Sequence, residues 1–190
     1  MIRINKDILT KYDLFEDLHK NEKILSSHTI ILDQKGNNSR WLIGSSQVNH
    51  KTVKDELIFI VEQSKRDSKY GFKLRCEALT NEPFFRFDSD GPAHRNSSPE
   101  IPLDQQLIST PHFNTYDSQG KLIAYKGSIL EQEKEAKAIV EDINFGVSLF
   151  CQESNTMLAN GTYPNISEKV PELDFESTII DTNFDQIDFT

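Results

Sequence analysis

"DELIFIVEQSKRDSKYGFKLRCEALTNEPFFRFD", residues 55–88, holds three runs with strand character, and their reading decides the fold. In "DELIFIVEQ" apolar side chains occupy consecutive positions, which predicts an interior strand buried on both faces. "YGFKLRCEAL" alternates instead, setting Phe72, Leu74, Cys76 and Ala78 on one face and Lys73, Arg75 and Glu77 on the other. In "EPFFRFD" the two-residue period puts Phe85 and Phe87 on one face and Phe84, Arg86 and Asp88 on the opposite one, so Arg86 and Asp88 are neighbours.

Upstream, Asn5 can cap a helix over residues 5–20, where Ile8, Tyr12, Phe15 and Leu18 recur on one face. "ILSSHTIILDQKGNNSRWLIGSSQV" then reads as two extended stretches about a turn at "KGNN". Downstream, "LISTPHFNTYDSQGKLIAYK" is a second hairpin signal, with His112, Asn114 and Tyr116 sharing a face of its first strand. "SILE" at 128–131 has the form of a capping box, and the apolar stripe of Ile129, Leu130, Ala136, Ile139, Val140 and Ile143 predicts a helix from Ser128. "FGVSLFCQE" adds a further helical piece, with a bend at Gly146. Helix, many strands, helices is the pattern of an α+β domain: a mostly antiparallel, curved β-sheet with the N-terminal helix and the C-terminal helices packed on one face.

With 190 residues the chain is long enough to bury a core without staples, and it reads as one α+β domain over 1–160 followed by an acidic C-terminal extension or tail over 161–190. From Ile166 onward seven acidic residues face one lysine, a net of −6 out of the chain's −9, so the preceding 165 residues carry −3. The acidity belongs to the tail and does not exclude a nucleic-acid partner for the body. Between Lys51 and Arg75 seven basic residues stand against four acidic ones, enough to line a phosphate-facing side. In the tail, acidic residues alternate loosely with Leu173, Phe175, Ile179, Phe184, Ile187 and Phe189, a composition that suits ordering against a surface.

No apolar run is long enough to cross a bilayer, so no membrane partner is expected. The N-terminus has no stretch of signal-peptide type, from which a cytoplasmic location is expected. Cys76 and Cys151 lie far apart and read as reduced core residues. No Cys/His pattern fixes metal ligands on one element, no phosphate-binding glycine loop appears, and neither metal nor cofactor is expected.

Three polar groups stand where they can meet at one end of the sheet: Arg86 and Asp88 on their strand, His94, Arg95 and Asn96 in the loop "SDGPAHRNSS", and His112, Asn114 and Tyr116 on a later strand. Cleaving an RNA phosphodiester takes a base for the 2′ oxygen, an acid for the 5′ oxygen and a cation for the phosphoryl charge. Two histidines, the Arg86–Asp88 pair and a second arginine supply those parts without a metal. The candidate catalytic residues are therefore His94, His112, Arg86 and Asp88, with Arg95, Asn96, Asn114 and Tyr116 as binding residues. The same residues also fit a structural account, in which Arg86 and Asp88 form a surface ion pair, "DSDGP" only turns the chain and each histidine pairs with backbone.

"GSS" at 44–46, "FFRFDSDGPAH" and "STPHFNTYD" in succession resemble the TumE-like family of small bacterial toxin-component proteins, over roughly residues 40–126. That family runs through an Arg-Tyr-Asp stretch, a nearby His and a later Pro-His-His-Lys-His run. Arg86, Phe87 and Asp88 match the first, His94 the second, and Pro111 and His112 the start of the third. Phe113 and Thr115 stand where the further histidines would be, and Asn114 where the lysine would be. The resemblance implies a toxin of a bacterial conflict or mobile-element system that acts on nucleic acid, with RNA or DNA as partner. The residues alone leave a second class open, a non-catalytic inhibitor or accessory factor that offers residues 166–190 or a sheet edge to a protein partner.

Overall fold

The computed structural model of the chain describes residues 4–170, apart from positions 35, 37, 38, 55, 68 and 99. In chain order the elements are α1 (Lys6–Thr10), α2 (Tyr12–Lys20), β1 (Lys23–Leu25), β2 (Thr29–Gln34), β3 (Trp41–Asn49), β4 (Leu57–Ser64), β5 (Tyr70–Cys76), β6 (Phe85–Asp88), β7 (His94–Arg95), β8 (Leu107–Ile108), β9 (His112–Tyr116), β10 (Leu122–Tyr125), α3 (Glu133–Glu141), α4 (Ile143–Glu153), β11 (Thr156–Leu158) and β12 (Asn165–Glu168). The fold is α+β, with a strongly curled and mostly antiparallel sheet.

The strands run in the order β10-β9-β6-β5-β4-β3-β1-β11, and β2 lies beside the other end of β3 with β12 outside it. β1 and β2 are thus two pieces of one broken edge along β3: Leu25 pairs with Val48, and Asp33 with Ile43. Gly44 permits β2 to cross closely there, since a Cβ on it would stand 2.7 Å from the Ile31 carbonyl oxygen. The outer pair β11 and β12 runs parallel to β1 and β2. β7 and β8 form a separate small ladder, which lies against β10.

Alternation sorts the side chains. Leu57, Phe59 and Val61 of β4, Phe72, Leu74 and Cys76 of β5, Phe85 and Phe87 of β6 and Phe113 of β9 are all fully buried on the inner face. Phe150 of α4 sits over this face, with ring centroids 5.3, 5.5 and 5.2 Å from those of Phe59, Phe72 and Phe85. α2 reaches the same face through His19, 5.1 Å from Phe85. The Tyr70 hydroxyl donates to the Ile139 carbonyl of α3, and Gly146 leaves room for that phenol where a Cβ would collide with it.

Lys23 is fully buried and closes α2, its Nζ donating to the carbonyls of Leu18 at 2.6 Å and Asn21 at 2.7 Å. Burial brings this ammonium down to about 8, against the pull of Asp17.

Several expectations meet a different outcome. β4 is fully buried on one face only; on the other Ile58 and Ile60 are half-buried among the described residues, beside the aliphatic stems of Arg75 and Lys73, their partners across the ladder. The N-terminal helix is interrupted at Lys11, whose Nζ donates to the Ala78 carbonyl at 2.7 Å. Residues 128–131 make a turn that buries Leu130, and α3 begins only after Gln132, which gives no side-chain cap. The bend expected at Gly146 does not appear, since α4 runs through it as one helix. Within the segment read as an extension, β12 pairs with β2 over Asn165–Glu168, and the Ile166 N–H donates to Asn144 Oδ1 at 2.8 Å. Residues 171–190, which hold most of the acidic and apolar positions of the proposed tail, lie outside the described residues. Among the described residues no helix is long and apolar enough to cross a membrane.

Phe150 and Phe145 lie on the same helix, one fully buried and the other 61% exposed. Phe150→Ala is expected to cost about 3–5 kcal/mol in urea denaturation, and Phe145→Ala to stay within about 0.5 kcal/mol of the parent. Equal losses would place the core elsewhere.

Candidate functional site

β6 is the centre of the site because it alternates in the middle of the sheet. While Phe85 and Phe87 point into the core, Arg86 and Asp88 stand on the outer face, and the β6–β9 register sets Arg86 across from Asn114 and Asp88 across from His112. The Asp88 Oδ2 atom gathers these groups. It accepts from Arg86 Nε at 3.0 Å and from Asn114 Nδ2 at 2.8 Å, and it lies 3.7 Å from His112 Nε2. Only the Nε of Arg86 is engaged in this way; among the described residues its Nη groups have no partner.

After β6 the chain turns back across the same face. Ser89 accepts from the Tyr70 N–H at 2.9 Å, Asp90 pairs with Lys69 at 3.1 Å, and Gly91, Pro92 and Ala93 carry the chain to His94 on β7. Arg86, Asp88, Asp90, Gly91, Pro92, Ala93, His94, Thr110, His112 and Asn114 together enclose a pocket of about 320 Å³. Its volume is at the small end of the range for ligand sites.

The structure thus brings together Arg86, Asp88, His94, His112 and Asn114 out of the residues singled out by the sequence. It does not bring in the other three. Arg95 is exposed on β7 and is not among the residues that line the pocket. Asn96 clasps the edge of the sheet, donating to the Ala124 carbonyl at 2.6 Å and accepting from the Ala124 N–H at 2.8 Å. Tyr116 lies toward the other end of β9, where its hydroxyl donates to Glu82 at 3.0 Å and its ring stands against Phe15. Sequence reasoning missed the pocket's wall, Asp90 to Ala93 and Thr110. "DSDGPAH" announces a turn but not what the turn leans over.

Burial governs the electrostatics of both imidazoles. His112 is 2% exposed, and burial holds it below the usual histidine range; Asp88 and the Ser109 carbonyl oppose this, while His94 and Arg86 add to it. His94 is half-buried, and burial likewise lowers it, with the Leu122 carbonyl opposing and Arg86 reinforcing. His112 Nδ1 and Asn114 Oδ1 are buried without hydrogen-bond partners among the described residues. The arrangement offers neutral imidazole, a guanidinium with two unengaged nitrogens and a carboxylate that orients one histidine. Those parts suit proton transfer beside an anionic group. Among the described residues no group of three or more His, Cys, Asp or Glu is arranged to hold a metal ion.

No protein-family model, curated protein or solved structure matches this chain.

His19, His50, His94 and His112 are all lowered by burial, so the unfolded chain takes up protons first as pH falls. Stability is complete above the unfolded histidine value of about 6.5 and declines below it. Urea midpoints should drop between pH 7.5 and 5, and His112→Gln should flatten part of that slope; a midpoint that rises on acidification would contradict the burial of these rings. Asn96→Ala should expose the segment between β7 and β8 to limited proteolysis while leaving the core intact, and unchanged cleavage would show that the clasp does not hold the loop.

Proposed function

We propose that this protein binds, and cleaves without a metal, single-stranded RNA, with the scissile phosphate at the pocket of Arg86, Asp88, His94, His112 and Asn114. The observation that carries the reading is the convergence of two imidazoles and a guanidinium on one hollow, though they come from three separate strands. A toxin component of a bacterial conflict or mobile-element system, as the sequence resemblance implies, would have this chemistry.

The roles follow from the surroundings of each group. His94 is the more accessible imidazole, and burial and Arg86 both favour its neutral form, so it acts as the base that takes the proton from a ribose 2′ hydroxyl. His112 has the Asp88 carboxylate beside its Nε2, which opposes the burial that favours its neutral form, and a bound phosphate adds a second anion beside the ring, so it acts as the acid. The 2′ oxygen bonds to phosphorus as the bond to the 5′ oxygen breaks, and the proton on His112 passes to that leaving oxygen. The products are a 2′,3′-cyclic phosphate and a free 5′ hydroxyl. Arg86 holds a non-bridging oxygen through Nη groups that have no other partner among the described residues, while Asn114 and the Arg86 Nε hold the Asp88 carboxylate in place.

The test is incubation of the full chain with mixed-sequence single-stranded RNA in EDTA, with the ends of the products analysed. Cyclic phosphate termini are expected, with a bell-shaped pH dependence, and His94→Gln or His112→Gln should each lower the rate by about 100-fold or more. Arg86→Gln should weaken binding as well. RNA retained through Arg86 but never cleaved would remove the catalytic part of the reading; neither binding nor cleavage would remove all of it.

A further inference from the structure

Among the described residues, the pocket lies at one end of a track of partly exposed side chains on the outer face of the sheet. Strand register sets Ile43, Glu62, Gly71, Asp88 and His112 side by side in one row across β3, β4, β5, β6 and β9. The next row holds Ser45, Ile60, Lys73, Arg86 and Asn114. At Gly71 the first row has no side chain, which leaves a notch beside the Asp88 carboxylate; even a Cβ there would stand 3.0 Å from the Phe87 carbonyl oxygen. Glu62 is neutralised by its ion pair with Lys73. The row spans four strand spacings, roughly 19 Å.

At the far end of the track stands Trp41, the only tryptophan in the chain, 41% exposed on the same face as Ile43. Exposed Arg40 precedes it, and exposed Lys65 and Arg66 follow its ladder partner Ser64 in the β4–β5 turn, where the Lys65 N–H donates to the Arg40 carbonyl at 2.9 Å. Arg40, Lys65 and Arg66 make no ion pair with any described residue, whereas Asp67 in the same turn faces Lys69 at 3.7 Å. Asp33 and Glu168 stand close enough to Lys65 and Arg66 to offset part of their charge, but an exposed indole beside three cations without a direct ion pair, on the same face as the pocket, is the combination that holds single-stranded nucleic acid: cations follow the backbone and the ring stacks a base.

We infer that a single strand of RNA whose scissile phosphate occupies the pocket runs across the outer face of the sheet and stacks a base on Trp41, with Arg40, Lys65 and Arg66 holding its phosphates. This rests on the pocket reading above and extends it from one phosphate to a strand of four or more nucleotides, the lower end of site sizes for such surfaces. The Lys73–Glu62 and Arg86–Asp88 pairs along the way are nearly neutral, so affinity is concentrated at the two ends of the track. Strand length, more than base identity, then decides how tightly the substrate is held.

The experiment compares a 2-nucleotide and an 8-nucleotide RNA, each with a 2′-deoxy block at the cleavable positions, in titrations read both by fluorescence anisotropy and by the emission of Trp41. The 8-mer is expected to bind at least about tenfold more tightly and to quench Trp41, and the dinucleotide to leave Trp41 unchanged. Trp41→Ala and the double variant Lys65→Glu, Arg66→Glu should each bring the 8-mer close to the dinucleotide's affinity without altering dinucleotide binding. Dinucleotide binding that is lost in Arg86→Gln, together with no gain from added length, overturns the track and leaves the pocket standing. An 8-mer held through Trp41 with Arg86 irrelevant supports the track and overturns the pocket. Binding of neither RNA overturns both.

Discussion

The alternation of β6 constrains everything that surrounds it. Four residues do two jobs at once: Phe85 and Phe87 enter the aromatic layer under Phe150, and Arg86 and Asp88 take up the outer face. A slip of one residue in its pairing would place two charges in the core and two phenyl rings in water. The core therefore fixes the site, because the packing that holds Phe87 against Phe72 and Phe113 also sets the Asp88 carboxylate opposite His112. Few ordinary substitutions on the inner face could leave the outer one undisturbed.

The pocket derives its character from polar groups that compensate one another more than from net charge. Arg86 and Asp88 compensate each other, Asp90 is compensated by Lys69, and both histidines are pushed toward their neutral forms by burial. A nearly neutral hollow would bind a phosphate weakly by charge alone. Partial burial of Arg86 and Asp88 and near-complete burial of His112, however, strengthen the individual hydrogen bonds these groups can offer. The wall is held from two directions, by Lys69 in the turn between β4 and β5 and by the pairing of β7 with β8.

Much of this was legible in the sequence, and the parts that were not share a cause. The face assignments in β5 and β6 follow from period-two alternation, which also put His112 and Asn114 on one face of their own strand; that this is the face of Arg86 follows from the β6–β9 pairing, which no local pattern announces. The loop carrying His94 was recognisable as a turn. The direction in which it folds was not, because that depends on Asp90 meeting Lys69, 21 positions earlier in the chain. Asn96 looked like a ligand-binding residue because an asparagine that imitates a strand partner has no local signature. The apolar run of β4 suggested burial on both faces, since the stems of Lys73 and Arg75 do not register as apolar neighbours in a linear reading. The parallel pairings of β11 with β1 and of β12 with β2 join segments more than 130 residues apart, beyond the reach of any local pattern.

The Asn96 clasp has a bearing on the edge of the sheet. β10 closes one end of the sheet, where unpaired backbone groups invite another chain to add itself as a further strand. By taking both the amide hydrogen and the carbonyl of Ala124, a single carboxamide occupies the spot on which such an intruder would nucleate, and β7 shields the length beside it. An uncharged side chain here stands in the position that edge strands elsewhere reserve for a gatekeeper.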